Sequence, residues 1–202
     1  MDATRRVEFD LGDWTVEVDI PAAADLLTMR PAKPLPDPAA AVVASLARPI
    51  GSESLARLAS RRLATNPAAT AVVVISDNTR PVPYRGPAGI LWPVVDVLLA
   101  AGFAAANITV LVATGTHRAM SHAELATILD ERVFAAGVRV VNHDSRDAAS
   151  LRYVGTTRRG TRLTVNRTYL DADLKVVTGL VERHFMAGAS GGATLAKWVP
   201  GT

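Results

Sequence analysis

A continuous apolar run, Ala71-Val-Val-Val-Ile75, constrains the fold more than any other part of this chain. Because every position in the run is apolar, it predicts a strand that is buried on both faces, as in a parallel sheet. The segments that follow alternate between helical and strand patterns, which is typical of an α/β protein with a mostly parallel, Rossmann-like sheet and flanking helices. The further segments of this pattern are a helix around Ile90–Ala101, strand Ile108–Ala113, a helix opened by a capping box at Ser121, and strands Val138–Val141 and Leu174–Val177.

The first seventy residues follow a different pattern. Val7–Asp10 and Trp14–Ile20 alternate apolar and polar residues on either side of a Leu-Gly-Asp turn, which predicts a β-hairpin. We expect a single α/β domain over residues 1–202, with residues 1–30 as a hairpin appendage and residues 31–38 as a proline-rich connector.

Two helices are predicted after the connector, and a second hairpin is predicted near the end of the sheet. Asp37 as N-cap and Pro38 at the first helical position begin a helix over Ala39–Leu46. Ser52 or Ser54 begins an amphipathic helix that runs through Leu63. The later hairpin joins Tyr153–Gly155 to Leu163–Val165 across Arg158-Arg-Gly160.

Composition excludes several classes of function. The chain has no cysteine, so disulfides, thiolate metal sites and thiol nucleophiles are excluded. Net charge is only +3 and aromatic residues make up 5%, so the basic pI of about 9.7 does not indicate nucleic-acid binding. No apolar stretch is long enough to span a membrane, and the amino terminus lacks the apolar region of a signal peptide, so we expect a cytoplasmic protein.

Polar residues follow each predicted strand of the sheet. Asp77 and Arg80 come after the first strand, His117 after the second, and His143 after the third. The last strand leads to Thr178-Gly179, His184 and the glycine-rich segment Ser190-Gly-Gly192. Because ligands of open α/β sheets bind beyond the carboxyl ends of the strands, these groups predict a binding or catalytic site.

Each of these residues also has a structural interpretation. Asp77 and Arg80 can be a turn aspartate and a surface arginine, and His117 can lie in a strand-to-helix turn. For His143 and Asp144 we favour a turn, and for His122 an exposed position on a helix. The glycines near Ser190 can hold a phosphate through backbone N–H groups, but they match neither the dinucleotide fingerprint nor the P-loop.

The available residue types limit the chemistry. Without cysteine, a pair of histidines supplies the acid and base near neutral pH. An arginine beside them suits a carboxylate, because the guanidinium can bind both carboxylate oxygens. Two bases on opposite faces of one carbon are compatible with a racemase or an epimerase.

Several ordered motifs resemble the nickel-dependent lactate racemase family. This resemblance covers nearly the whole chain and implies a two-domain α/β protein acting on 2-hydroxy acids, of which this chain is the amino-terminal domain. In such proteins a nickel-pincer nucleotide takes up a hydride from the substrate carbon and returns it. The matching segments are Leu35–Pro38, Pro49–Ser52, Asp77–Pro83, Thr114–Arg118, Asn142–Asp144 and Thr178–Gly192.

The resemblance also implies roles for individual residues. His117 and His184 correspond to the catalytic pair that exchanges the hydroxyl proton from either face. Arg80 corresponds to the residue that binds the substrate carboxylate, with Asp77 as its polar neighbour in the substrate site. The cofactor-binding residues would be Ser190, Gly191, Gly192 and Lys197, and no metal ligand is assigned.

The sequence departs from the family pattern near its end. Thr194 stands where the family has the lysine that bonds the cofactor, and the next lysine is Lys197. Either Lys197 serves from a shifted loop or covalent attachment is absent, and we favour absence. The chain stops at Thr202, before the family's nickel-binding histidine, so we expect a carboxyl-terminal domain or a partner chain to complete the site.

Two other hypotheses therefore stand beside the racemase. The first is a non-catalytic module that binds a carboxylate or a nucleotide and retains the fold, which the threonine at position 194 motivates. The second is an interaction subunit of a larger complex.

Overall fold

The computed structural model describes residues 3–27, 33–184 and 188–191. The chain divides into two compact units, Met1–Leu35 and Pro36–Thr202, which are described separately. None of the described helices is long and apolar enough to cross a membrane.

The first unit contains an antiparallel hairpin of strands β1 (Thr4–Asp10) and β2 (Thr15–Pro21). Val7 lies opposite Val18 and Phe9 opposite Val16, so these two pairs share one apolar face. Arg6 lies on the other face, within 3.4 Å of Glu17 and 3.2 Å of Asp19. The predicted hairpin is confirmed, and β1 begins three residues earlier than the alternation indicated.

The second unit begins with helices α1 (Pro38–Ala47) and α2 (Leu55–Thr65). The Asp37 carboxylate accepts a hydrogen bond from the Ala40 amide, and Ser54 caps α2 through the amide of Arg57. Of the two serines considered as the start of the second helix, the structure therefore selects Ser54.

A parallel sheet of four strands forms the centre of the second unit. The elements up to its third strand are β3 (Ala71–Ser76), α3 (Leu91–Ala100), β4 (Ile108–Ala113), α4 (His122–Ile128), α5 (Glu131–Ala135) and β5 (Arg139–Asn142). The remaining elements are β6 (Leu151–Thr156), β7 (Arg162–Asn166), α6 (Arg167–Asp171), β8 (Leu174–Val177), β9 (Arg183–His184) and β10 (Gly188–Ala189). The order across the sheet is β5-β4-β3-β8, and the predicted α/β class is confirmed.

Strand β3 is buried along its whole length. Val73 and Ile75 belong to the main apolar core together with residues of α2, α3 and α5, whereas Val72 and Val74 pack on the opposite face of the sheet. Since each fully buried Val or Ile contributes roughly 1.5–3 kcal/mol, the continuous apolar run accounts for the central position of this strand.

Three short features were not predicted: α5, α6 and the pairing of β9 with β10. Each of the two helices has only five residues, which is too short for a helical period to show in the sequence. Both depend on side-chain caps: Asp130 accepts a hydrogen bond from the amide of Arg132, and Asn166 accepts one from the amide of Thr168.

The connections place a crevice at one edge of the sheet. The chain runs outward from β3 to β4 and β5, and then returns to β8 on the other side of β3. Such a reversal of strand order separates the loops that leave neighbouring strands, and this is where open α/β sheets bind ligands.

Candidate functional site

A cavity of about 140 Å³ lies at the carboxyl ends of β3, β4 and β8. Ser76 and the loop Asp77–Arg80 form one wall, and the turn Thr114–His117 forms a second. Gly179, Leu180 and the Ser190-Gly191 pair complete the lining. A water molecule occupies about 30 Å³, so the cavity has room for a small organic molecule.

Asp77 and His117 form the most distinctive contact in the cavity. The Nδ1 atom of His117 lies 2.6 Å from Oδ2 of Asp77. Asp77 is 5% exposed at the end of β3, whereas the side chain of His117 is 55% exposed. Since a carboxylate only accepts hydrogen bonds, Nδ1 carries the proton and Nε2 of the neutral ring is left with a lone pair.

The second oxygen of Asp77 is bonded to Thr79. Its Oδ1 accepts hydrogen bonds from the Thr79 amide at 3.1 Å and from the Thr79 hydroxyl at 2.6 Å. Burial raises the pKa of Asp77, but the hydrogen bonds from Thr79 and His117 outweigh it and hold the pKa below its usual value. Asp77 is therefore ionised at neutral pH, with both oxygens engaged by protein groups.

Arg80 supplies positive charge beside this pair. Its backbone amide donates to the carbonyl of Asp77 at 3.3 Å, which closes the turn after β3. Arg80 lines the cavity, and within the described ranges its guanidinium has no hydrogen bond or ion pair. An arginine in this state can bind a carboxylate through two parallel N–H bonds.

The turn after β4 places His117. The His117 amide donates to the carbonyl of Thr114 at 2.9 Å, and the buried Thr114 hydroxyl donates to the carbonyl of His143 at 2.7 Å. The ends of β4 and β5 are thus connected through Thr114, which holds the turn that carries His117 in place.

Ser190 and Gly191 close the cavity on the β8 side. The Ser190 hydroxyl donates to the carbonyl of Leu180 and accepts from the amide of Glu182, both at 3.0 Å. Gly191 has a φ of +123°, and a Cβ atom there would lie 3.0 Å from Cγ2 of Val181. Both residues line the cavity, but the Ser190 hydroxyl already bonds the chain on the opposite side of the loop.

The other predicted site residues are described only in part. The backbone of His184 lies in β9, opposite Gly188, and its side chain falls outside what the structure describes. Gly192, Thr194 and Lys197 lie outside the described residues. The predicted cofactor roles of Gly192 and Lys197, and the predicted catalytic role of His184, therefore stay predictions.

His143 and Asp144 lie next to the cavity without lining it. His143 is 1% exposed, and its Nδ1 atom lies 3.0 Å from Nδ2 of Asn166. Asp144 accepts a hydrogen bond from the amide of Arg146, as in an ordinary turn. His122 lies exposed in α4, in edge contact with the Phe134 ring.

Sequence reasoning missed two residues that shape the cavity. Thr79 donates two hydrogen bonds to Asp77, one from its amide and one from its hydroxyl. The Asp-x-Thr spacing is the sequence signal that could have predicted this turn. Tyr84 is 2% exposed, and its hydroxyl lies within hydrogen-bond distance of the Ser76 amide and the Thr178 hydroxyl. No local pattern marks Tyr84, because its partners lie at the end of β3 and just after β8.

The four-stranded parallel sheet defines an α/β domain whose cavity lies at the strand-order reversal, the position where open α/β sheets bind ligands. The model of the lactate racemase N-terminal domain matches residues 11–199, so this chain belongs to that family. The resemblance inferred from the motifs is confirmed.

Curated proteins and a solved structure agree with this assignment. The chain is 34% identical over 148 residues to lactate racemase from Thermoanaerobacterium thermosaccharolyticum and 36% identical over 148 residues to lactate racemase from Lactiplantibacillus plantarum. Each match covers 73% of this chain and 32% of the relative, so the chain spans about a third of these curated relatives. The structure of the lactate racemase apoprotein from Thermoanaerobacterium thermosaccharolyticum superposes with a TM-score of 0.76 and 29% identity, over 97% of this chain and 44% of that one.

Proposed function

We propose that this domain binds the carboxylate of a 2-hydroxy acid and moves its hydroxyl proton, as part of a racemase or epimerase. The observation that carries the proposal is the Asp77–His117 bond of 2.6 Å in a cavity that is also lined by Arg80, whose guanidinium has no hydrogen bond or ion pair among the described residues. The family of this chain and the names of its relatives support the same reaction class.

Arg80 is the proposed carboxylate-binding residue. Arg80 and the turn that ends at His117 line the same cavity, so a 2-hydroxy acid held by the guanidinium would present its hydroxyl near the imidazole. Charge-assisted hydrogen bonds to a carboxylate contribute about 1.5–3 kcal/mol, which makes Arg80 the main source of affinity for an anion.

His117 is the proposed general base, and Asp77 is its positioning residue. The bond from Nδ1 leaves the lone pair on Nε2 to accept the substrate proton. The ionised Asp77 then stabilises the imidazolium that forms, because its negative charge lies against the ring. Asp77 was predicted as a substrate-binding residue, and with both oxygens bonded to protein groups we assign it this orienting role instead.

The resemblance implies a nickel-pincer nucleotide, which when bound supplies the acceptor and donor of the hydride. The described residues contain no group of three or more His, Asp or Glu side chains that could hold a metal ion. A cavity of about 140 Å³ has room for a small acid. The described part of the chain fits the substrate half of such a site, and the proposal places nickel ligation and cofactor attachment elsewhere.

A second domain or partner chain is part of the proposal. The curated relatives extend well beyond the part that this chain matches, which supports a site completed by further residues. His184 remains the proposed base for the opposite face of the substrate.

Titration of the purified protein with L-lactate and D-lactate tests the carboxylate site. We expect Arg80→Ala to abolish binding of both, while Arg158→Ala, an exposed arginine at the tip of the β6–β7 hairpin, leaves binding unchanged. Interconversion of the two enantiomers by the full-length protein, followed by chiral chromatography, then tests the reaction. Binding without interconversion would identify the non-catalytic module, and absence of both contradicts the proposal.

A further inference from the structure

We propose that Tyr84 is a positioning residue that holds the substrate-binding loop open and in register with the end of β8. This inference rests on the proposed function, because the loop in question carries Asp77 and Arg80.

The ladder between β3 and β8 ends before β3 does. The last paired residues are Val74 and Val177, whereas β3 continues to Ser76 along its other neighbour, β4. The Ser76 amide does not bond to β8 but donates to the hydroxyl oxygen of Tyr84 at 2.7 Å. The phenol therefore takes the place of the next strand-to-strand hydrogen bond.

The direction of each hydrogen bond around Tyr84 follows from its partners. The Thr178 hydroxyl donates its only proton to the carbonyl of Val74 at 2.8 Å, so it can only accept from Tyr84, which lies 3.1 Å away. The relay runs from the Ser76 N–H to the Tyr84 O–H, then to the Thr178 O–H and the Val74 carbonyl. Each of these polar groups has a partner, and the chain of bonds crosses between the two strands.

This relay lies directly beneath the cavity. Ser76 and Asp77 on one side, and Gly179 on the other, are cavity residues that flank its two ends. By standing between the strands, the Tyr84 hydroxyl ends their pairing and keeps the crevice from closing. The ring itself is 2% exposed in the main apolar core, so it forms a rigid support.

The segment from Arg80 to Tyr84 is rigid, so the position of the Tyr84 ring determines the position of Arg80. Pro81 and Pro83 fix their φ angles, and the Val82 amide donates to the Arg80 carbonyl at 2.8 Å. The loop is thus stiff from Arg80 to Tyr84 and is closed at its base by the bond to Ser76. Displacing the phenol shifts Arg80 and the Asp77–His117 pair together.

Tyr84→Phe is the principal test, because it removes the hydroxyl and retains the ring. Tyr153→Phe is the matched control, since among the described residues the Tyr153 hydroxyl bonds only to Thr156, on the β6–β7 hairpin. We expect Tyr84→Phe to speed hydrogen exchange of the Ser76 amide at least about tenfold and to change the ¹⁵N shifts of the His117 ring, which report its bond to Asp77. The control leaves both unchanged.

Binding of L-lactate provides the functional readout. We expect its dissociation constant to rise about tenfold in Tyr84→Phe, and this increase to shrink strongly when Arg80→Lys is already present, because both changes act through the same guanidinium. Fully additive effects would overturn the proposal. Faster Ser76 exchange with unchanged His117 shifts and unchanged affinity would also overturn it, since the hydroxyl would then be only structural.

Two further results keep this inference separate from the proposed function. If the unaltered protein does not bind lactate, the proposed substrate fails, and the His117 shifts alone decide the role of Tyr84. If Tyr84→Phe does not fold, Thr178→Val removes the acceptor of the same relay and is expected to produce the same changes at smaller amplitude. Thr178→Ser, which keeps the hydroxyl, should restore the original shifts, and its failure to do so counts against the relay.

Discussion

His117 and His143 follow neighbouring strands of one sheet, yet their surroundings are opposite. The exposed His117 meets a carboxylate, whereas His143 is buried and meets the amide of Asn166. Because the Asn166 oxygen caps α6 through the Thr168 amide, its NH₂ group must face His143. The Nδ1 atom of His143 therefore accepts, the proton lies on Nε2, and that N–H has no partner in the described structure.

The comparison shows that a position after a strand does not by itself identify a catalytic histidine. A carboxylate partner holds the ring proton on Nδ1 and leaves Nε2 able to accept a proton, while an amide N–H partner holds the ring proton on Nε2. Burial lowers the pKa of His143 and the charge of Asp144 opposes this only in part, which agrees with a ring kept neutral. The partner and the exposure distinguish the two roles.

Replacing each histidine by glutamine should separate them most strongly. We expect His117→Gln to lower kcat of the full-length, cofactor-loaded protein by about 10²- to 10⁴-fold, the usual effect of losing a general base. His143→Gln should leave kcat within about threefold as long as the protein is folded, because the ring does not line the cavity. A comparable loss of kcat in both variants contradicts the assignment.

Asp77→Asn should give His117 an amide partner, like the one that His143 has in Asn166. Thr79 would still hold the side-chain oxygen, so the new NH₂ group would face Nδ1 of His117 and move the ring proton to Nε2. We expect kcat to fall by about 10²-fold or more with a smaller change in KM, as when a catalytic histidine is held in the wrong tautomer. Steady-state kinetics measures the split, with Asp144→Asn as the control outside the cavity.

The stability of the fold should depend on the protonation of His143. Because its pKa is lower in the folded state, the unfolded chain binds more protons, and the free energy of unfolding decreases as the pH falls below about 6.5. Each unit of difference between the two pKa values corresponds to about 1.4 kcal/mol. Urea unfolding between pH 8 and pH 5 measures the slope, and His143→Gln should flatten it; an equal slope in that variant would assign the effect to other groups.

Thr114→Val tests the hydrogen bond that connects the two histidine turns. Losing the bond from the Thr114 hydroxyl to the His143 carbonyl should cost about 1 kcal/mol of unfolding free energy. Thr114→Ser keeps the donor and should lose less. Chemical denaturation of the two variants provides the measurement, and an equal or larger loss in Thr114→Ser would show that the methyl group contributes at least as much as the hydroxyl.

Much of the fold could be predicted because its signals are local. The apolar run of β3, the caps of Asp37 and Ser121, and the polar turns after the strands all lie within a few residues of what they determine. The five-residue helices α5 and α6 could not, because their caps and tertiary contacts, not a periodic pattern, hold them in place.

In the candidate site, too, the features with local signals could be predicted and those that depend on distant residues could not. Asp77, Arg80 and His117 could be selected because each follows a strand, but the bond between Asp77 and His117 joins residues 40 positions apart in the chain. That bond is the reason why we propose an orienting role for Asp77 in place of the predicted substrate-binding role. Tyr84 was missed for the same reason, since Thr178 lies 94 positions away.

The pairing of β3 with β8 also has a consequence for synthesis. Ala71 lies opposite Leu174, so about a hundred residues must be translated after β3 before that neighbour exists. At 5–20 residues per second this takes about 5–20 s, during which one side of a strand that is apolar from Ala71 to Ile75 is unpaired. Such an unpaired edge is a template for aggregation, so the nascent chain is most exposed to it until Leu174–Val177 emerges.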